Sequence, residues 1–175
     1  MKVEIGAGAR AHDGYLALDL NPKNADVVAD ASRLPFKDAS IDALRAVDVL
    51  EHISYRETEA VLDEWARVCK PGAHLYVQVP DADEIMRWYM LQPHRLKRGV
   101  PRELPQTALA GAAWRLLGGH ADGTYVDADG DWRWNAHYSL WSMLSLVTAL
   151  DLAGFVVVSC PTNGHPNLCC EAVRR

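Results

Sequence analysis

The sequence predicts an α/β fold built on a mostly parallel sheet, and three observations carry that prediction. Short apolar segments of strand length recur through the first 80 residues, and four of them run into an acid. The clearest helical stripe lies between two of these segments, in the order strand, helix, strand. Two further apolar segments close the chain around the turn-rich "PTNGHP" and read as an antiparallel hairpin.

Each element has a local reason. Residues 2–5 make a first strand that stops at Gly6, and 15–20 alternate enough to make a second, ending around Asp19 and Asn21. "DVVA" at 26–29 is a third, followed by Asp30. Residues 41–50 contain a fourth, and "HLYVQV" at 74–79 is a fifth that stops at Pro80 and Asp81. Between these last two, Ser54 and Glu57 have the spacing of a capping box, and Val61, Leu62, Trp65, Val68 and Cys69 form one apolar stripe up to Lys70, Pro71 and Gly72. Parallel neighbours need such a crossover, so the sheet carries helices on its faces. Residues 139–154 predict a second buried helix, stopped by Gly154.

At 175 residues the chain is expected to be a single domain over 1–175, with a lid insertion at about 83–137 where Trp, Arg, Gly and Pro concentrate. A net charge of −5 argues against nucleic acid as the main partner. No apolar run approaches the roughly 20 residues of a bilayer span and the N-terminus has no apolar signal core, so a cytoplasmic protein with no membrane partner is expected. The four cysteines lack paired zinc spacing and read as reduced thiols. Nothing in the sequence fixes an oligomeric state.

In an open parallel sheet, ligands bind beyond the carboxyl ends of the strands. Gly6, Asp19, Asp30, Asp48 and Asp81 all fall at or near such ends. Gly6 and Gly8 let the backbone approach a ligand, Asp19 suits a ribose diol, and Asp30 suits an adenine amino group. Gly6-x-Gly8-x-x-Ala11 satisfies a dinucleotide pattern, but the ribose acid of that fingerprint comes roughly 20 residues on, after a full helix. Asp19 comes too early for that helix to exist. A pyrophosphate would lose its helix dipole, whereas the sulfonium and ammonium of S-adenosylmethionine favour an acidic rim.

The run "EIGAG…LALDLN…VVADASRLPF…AVDVLEHI…VLDEWARVCKPGAHLYVQVPD" resembles the small class I S-adenosylmethionine-dependent methyltransferases, in a subgroup with a shortened first helix. The resemblance is strongest over residues 2–83. It implies a Rossmann-like, mostly parallel seven-stranded sheet with an antiparallel last strand, S-adenosylmethionine as cofactor, and cofactor contacts at Glu4, Gly6, Ala7, Gly8, Asp19, Leu20, Asn21, Asp30, Ala31, Asp48 and Val49. Asp48 stands where relatives often carry a neutral residue. The N/D-P-P-Y signature of base-methylating enzymes is replaced by "DVLE".

Because the sulfonium is already a good leaving group, the expected enzyme aligns its acceptor and needs a base only where the acceptor must lose a proton; no metal is required. His137 and His52 are the candidate bases. The expected acceptor is a small molecule or glycan with a hydroxyl or amine. Arg87, Arg95, Lys97, Arg98 and Arg102 read either as a solvated lid or as a groove for an anionic acceptor. Trp132, Trp134, His137 and Tyr138 either plug the sheet end or wall an acceptor pocket. Two rival readings remain, a catalytically silent binding module of the same fold and a nucleotide-cofactor oxidoreductase.

Overall fold

The computed structural model describes residues 1–8, 11–91, 116, 136–163 and 165–175. The predicted strands form as β1 (Lys2–Ile5), β2 (Leu16–Asp19), β3 (Val27–Val28), β4 (Ile41–Val47), β5 (Cys69–Pro80), β6 (Phe155–Ser159) and β7 (Asn167–Arg174). They make one sheet in the order β3-β2-β1-β4-β5-β7-β6. Neighbours from β3 to β5 are parallel, and β7 runs antiparallel between β5 and β6. The chain winds outward from β1 to β3, then returns to β1's other side with β4. That reversal opens a crevice at the carboxyl ends of β1 and β4.

Helices α1 (Thr58–Val68), α2 (Ala82–Leu91) and α3 (Met143–Leu152) accompany the sheet. Val3, Ile5, Leu44, Leu75 and Val77 from the central strands share one core with Leu62 and Trp65 of α1 and with Leu146 and Leu150 of α3. The predicted alternation of β5 holds from His74 onward, with Leu75, Val77 and Val79 buried and the intervening residues more exposed. Cys170 is fully buried while Cys169 is partly exposed, as neighbours on opposite strand faces should be. No helix among the described residues is long and apolar enough to cross a membrane.

Three boundaries differ from expectation. The capping box at Ser54 does not form: α1 starts at Thr58, and the Ser54 carbonyl instead accepts from the Glu57 and Thr58 amides at 2.8 and 3.1 Å. The Glu57 amide that the cap would have bonded is thus spent on a turn, and Ser54 Oγ accepts from the Arg56 amide instead. Strand β5 begins at Cys69 rather than at 74, running through Pro71 and Gly72, which the sheet accommodates by a register shift opposite Asp42. The last helix starts at Met143, where Ser142 and Ser145 make a reciprocal capping box, so residues 139–141 are released to pack elsewhere. Most of the expected lid lies outside the described residues, and with it Arg95, Lys97, Arg98, Arg102, Trp132 and Trp134.

Candidate functional site

The site builds from the turn after β1. Gly6 and Gly8 both have left-handed backbones, φ +62° and +56°. A Cβ on Gly6 would stand 2.4 Å from Val49 Cγ2, so only glycine lets the end of β1 lie this close to the end of β4. Beyond Gly8 the space is open, with no described residue within 4 Å of where a Cβ would be. Residues 11–15 form a turn, the Tyr15 amide donating to the His12 carbonyl, and no helix separates it from β2. The truncated crossover inferred from spacing is therefore present among the described residues.

Asp19 ends β2 and organises its surroundings. Its Oδ2 accepts from the Gly8 amide and its Oδ1 from the Asn21 amide, both at 2.9 Å. One carboxylate thus locks the glycine turn to the second strand's exit. Glu4 works from beneath: Arg45 Nε donates to its Oε1 at 3.0 Å, and the His12 amide donates to its other oxygen. Glu4 is buried and reaches the site through the loop it holds. Leu20 lies exposed beside Asp19, and Asn21 accepts from the Lys23 amide.

Past β3, Asp30 Oδ1 accepts from both the amide and the hydroxyl of Ser32 at 2.7 Å, shaping the turn that precedes "LPF". Helix α1 pins this segment, and sequence reading missed how. Trp65 Nε1 donates to the Ala31 carbonyl at 3.0 Å, the Leu34 amide donates to Glu64 Oε1 at 2.8 Å, and Arg67 donates to the Phe36 and Leu34 carbonyls. The Arg67 hydrogen bond holds the Glu64 carboxyl below its ordinary range, against a partial desolvation. Trp65 announced itself in the sequence only as part of an apolar stripe. Its partner is 34 residues away, and no local signal points to it.

At the end of β4, Asp48 takes a left-handed backbone, φ +53°, its amide donating to the Gln78 carbonyl and its Oδ1 accepting from Gln78 Nε2 at 3.1 Å. A non-glycine residue in this region is uncommon and clusters at functional turns. Val49 follows, then a single 3₁₀ turn, Leu50–His52. Glu51 in that turn is 2% exposed, and its Oε2 has no hydrogen-bond partner among the described residues. Burial first, and the charge of Asp48 second, push its carboxyl well above the ordinary range.

The segment released from the last helix lands here. The Tyr138 and Ser139 amides donate to the Glu51 carbonyl at 2.8 and 3.1 Å, and Ser139 Oγ donates to the Leu50 carbonyl while accepting from Trp141 Nε1. His137 is thereby set edge-on against His52, ring centroids 4.9 Å apart. His52 Nδ1 donates to the Ala136 carbonyl at 3.1 Å. Glu51, His52 and His137 bring one potential ligand atom each within 4.8 Å of one another. Sequence reading placed both histidines near the strand ends without bringing them together. Asp81, at the end of β5, caps α2 through the Glu84 amide.

Asp19, Asp30 and Asp48 thus stand at or just past the carboxyl ends of β2, β3 and β4, and the carbon-free face of Gly8 is open among the described residues. Such a set of hydrogen-bond acceptors fits a ribose diol, an amino group and a cationic sulfur better than a pyrophosphate. A family model for a methyltransferase domain matches residues 6–77. No curated protein matches the chain. Among solved structures, a protein of Pyrococcus horikoshii superposes with TM-score 0.66 at 16% identity, covering 99% of this chain and 81% of that one. A Thermotoga maritima S-adenosylmethionine-dependent methyltransferase, a possible histamine N-methyltransferase, gives 0.62 at 16%, covering 99% and 82%. The 1,6-didemethyltoxoflavin-N1-methyltransferase of Burkholderia thailandensis, solved with its acceptor and S-adenosylhomocysteine, gives 0.58 at 18%, covering 98% and 69%.

Proposed function

We propose that this chain, a class I S-adenosylmethionine-dependent methyltransferase by its matching domain and its fold, methylates a hydroxyl or amine of a small-molecule or glycan acceptor. The observation that carries the cofactor reading is Asp19, whose carboxylate ties the Gly8 and Asn21 amides at the open crevice without an intervening helix. In this reading Gly6, Ala7 and Gly8 line the methionine portion, Asp19, Leu20 and Asn21 hold the ribose, and Asp30 and Ala31 frame the adenine. Asp48 and Val49 stand beside the sulfonium end. When bound, the cofactor supplies an activated methyl group on a cationic sulfur.

What the chain contributes is alignment. The acceptor's lone pair must approach the methyl carbon in line with the carbon–sulfur bond, whose electrons leave with sulfur, and the acceptor's proton passes to a nearby group or to water. His52 and His137, set edge-on with ring centroids 4.9 Å apart, are the groups we assign to activating the acceptor. Support for a small acceptor comes from the Burkholderia neighbour, which was solved with one. The basic residues Arg95, Lys97 and Arg98 make an anionic acceptor part of the reading, and the segment 83–137 is its lid. A cytoplasmic location completes the reading.

Calorimetric titration with S-adenosylhomocysteine and with NADH tests it. Binding of the first alone, with label transfer from methyl-labelled cofactor to an acceptor panel, is the expected result. NADH binding would restore the oxidoreductase reading. Cofactor binding without transfer to any acceptor would leave a silent binding module.

A further inference from the structure

The geometry points to a divalent-cation site formed by Glu51, His52 and His137. Two imidazoles and one carboxylate are a borderline-soft donor set that suits zinc and its first-row neighbours, and suits magnesium or calcium poorly. The three candidate ligand atoms already lie within 4.8 Å of one another. Ligands sharing one cation at about 2.1 Å sit roughly 3.4–4.2 Å apart, so small side-chain rotations close the difference.

The independent sign is Glu51. The residue is 2% exposed, and Oε2 lacks any hydrogen-bond partner among the described residues. A buried carboxylate oxygen left unpaired is costly, and a cation held by the adjacent imidazoles is the partner this position fits. The support is preformed as well. His52 Nδ1–H donates to the Ala136 carbonyl, which puts the ring's lone pair on Nε2 and orients it as outer-shell carbonyls orient metal-binding histidines. The backbone of residues 138–139 is bolted to the Glu51 carbonyl, fixing where His137 can stand. Among the described residues this is also the place where three such groups converge.

Resting on the proposed methyltransferase reading, the cation's role is to draw the acceptor's oxygen or nitrogen to the crevice and make it easier to deprotonate. The proton leaves to water, the acceptor's lone pair forms the new bond to the methyl carbon, and the carbon–sulfur electrons stay on sulfur. No oxidant or reductant is involved.

The test uses full-length protein without a polyhistidine tag, stripped with chelator and titrated with Zn²⁺, Co²⁺ and Mg²⁺ by calorimetry and elemental analysis. One equivalent of Zn²⁺ or Co²⁺ per chain is expected, with a Co²⁺ spectrum free of thiolate charge-transfer bands and no comparable Mg²⁺ binding. In Glu51→Gln and His137→Ala the affinity should fall about 100-fold or more. S-adenosylhomocysteine titrated into the same variants keeps the two readings apart: retained cofactor binding with lost metal supports the site. Failure of stripped wild-type protein to bind either metal stoichiometrically overturns it, as does unchanged metal affinity in His137→Ala. Should both variants misfold, anomalous scattering from Co²⁺-soaked wild-type crystals decides, supporting the site with a peak between the His52 and His137 rings and refuting it with a peak elsewhere.

Discussion

Gly6 and Gly8 look interchangeable in the sequence, yet alanine should be tolerated very differently at the two. Both hold left-handed backbones, so alanine costs about 1–2 kcal/mol at each, less about 0.4–1 kcal/mol regained from a stiffer unfolded chain. At Gly8 the new methyl meets none of the described residues within 4 Å, and the cost should stop there. At Gly6 it would stand 2.4 Å from Val49 Cγ2, more than 1 Å inside the roughly 3.5–4.0 Å that two carbons prefer. Valine is stiff at χ1 and cannot swing aside, so a further 1–3 kcal/mol of overpacking is expected, on the order of other overfilled sites. In a chain of this length each kcal/mol lowers the midpoint by about 2–4 °C. Gly8→Ala should therefore melt within about 5 °C of the parent, and Gly6→Ala about 5–15 °C below it. Adding Val49→Ala to Gly6→Ala should restore part of the loss, a coupling of about 1–2 kcal/mol read from a double-mutant cycle in urea. Equal melting of the two glycine variants, or strict additivity with Val49→Ala, would refute the packing argument.

The remaining predictions concern the rim and its supports. Asp19→Ala should weaken S-adenosylhomocysteine binding by about 10- to 100-fold in calorimetry, since a charge-assisted hydrogen bond is worth roughly 1.5–3 kcal/mol and the Gly8 amide also loses its acceptor; unaltered affinity in the folded variant would remove Asp19 from the site. Arg67 holds Glu64 below its ordinary pKa, so the pair's contribution is complete above the ordinary glutamate range and is lost as pH falls through the lowered folded value. Melting curves between about pH 6 and pH 3 should accordingly show Arg67→Ala losing less stability on acidification than the parent, and a parallel loss would contradict the pairing. His137→Ala should cut kcat for a hydroxyl acceptor by about 10²–10⁴ while leaving S-adenosylhomocysteine affinity unchanged. A variant that keeps its rate would move acceptor activation away from the histidine pair.

By itself the sequence determined the elements that depend on neighbours along the chain. Alternation in residues 74–79, the stripe through Trp65 and the acids after four of the strands are local patterns, and they gave the α/β class, the parallel crossover and the acids at the strand ends. The short step from Gly8 to Asp19 was equally legible, because eleven residues cannot hold the turn, a full helix and a strand. Helix starts were less so: Ser54 and Ser142 are both serines with a possible partner three residues on, but the Ser54 hydroxyl accepts from the Arg56 amide whereas the Ser142 hydroxyl accepts from the Ser145 amide and caps its helix. The tertiary structure alone decided that Trp65 and Arg67 hold the 31–36 segment, that Gly6 abuts Val49, and that His137 meets His52 and Glu51. Those contacts join residues 30 to 90 positions apart through a shared backbone scaffold. Hydrogen bonds from 138–139 to the Glu51 carbonyl bring the histidines together, and backbone groups carry no trace of their partners in the sequence.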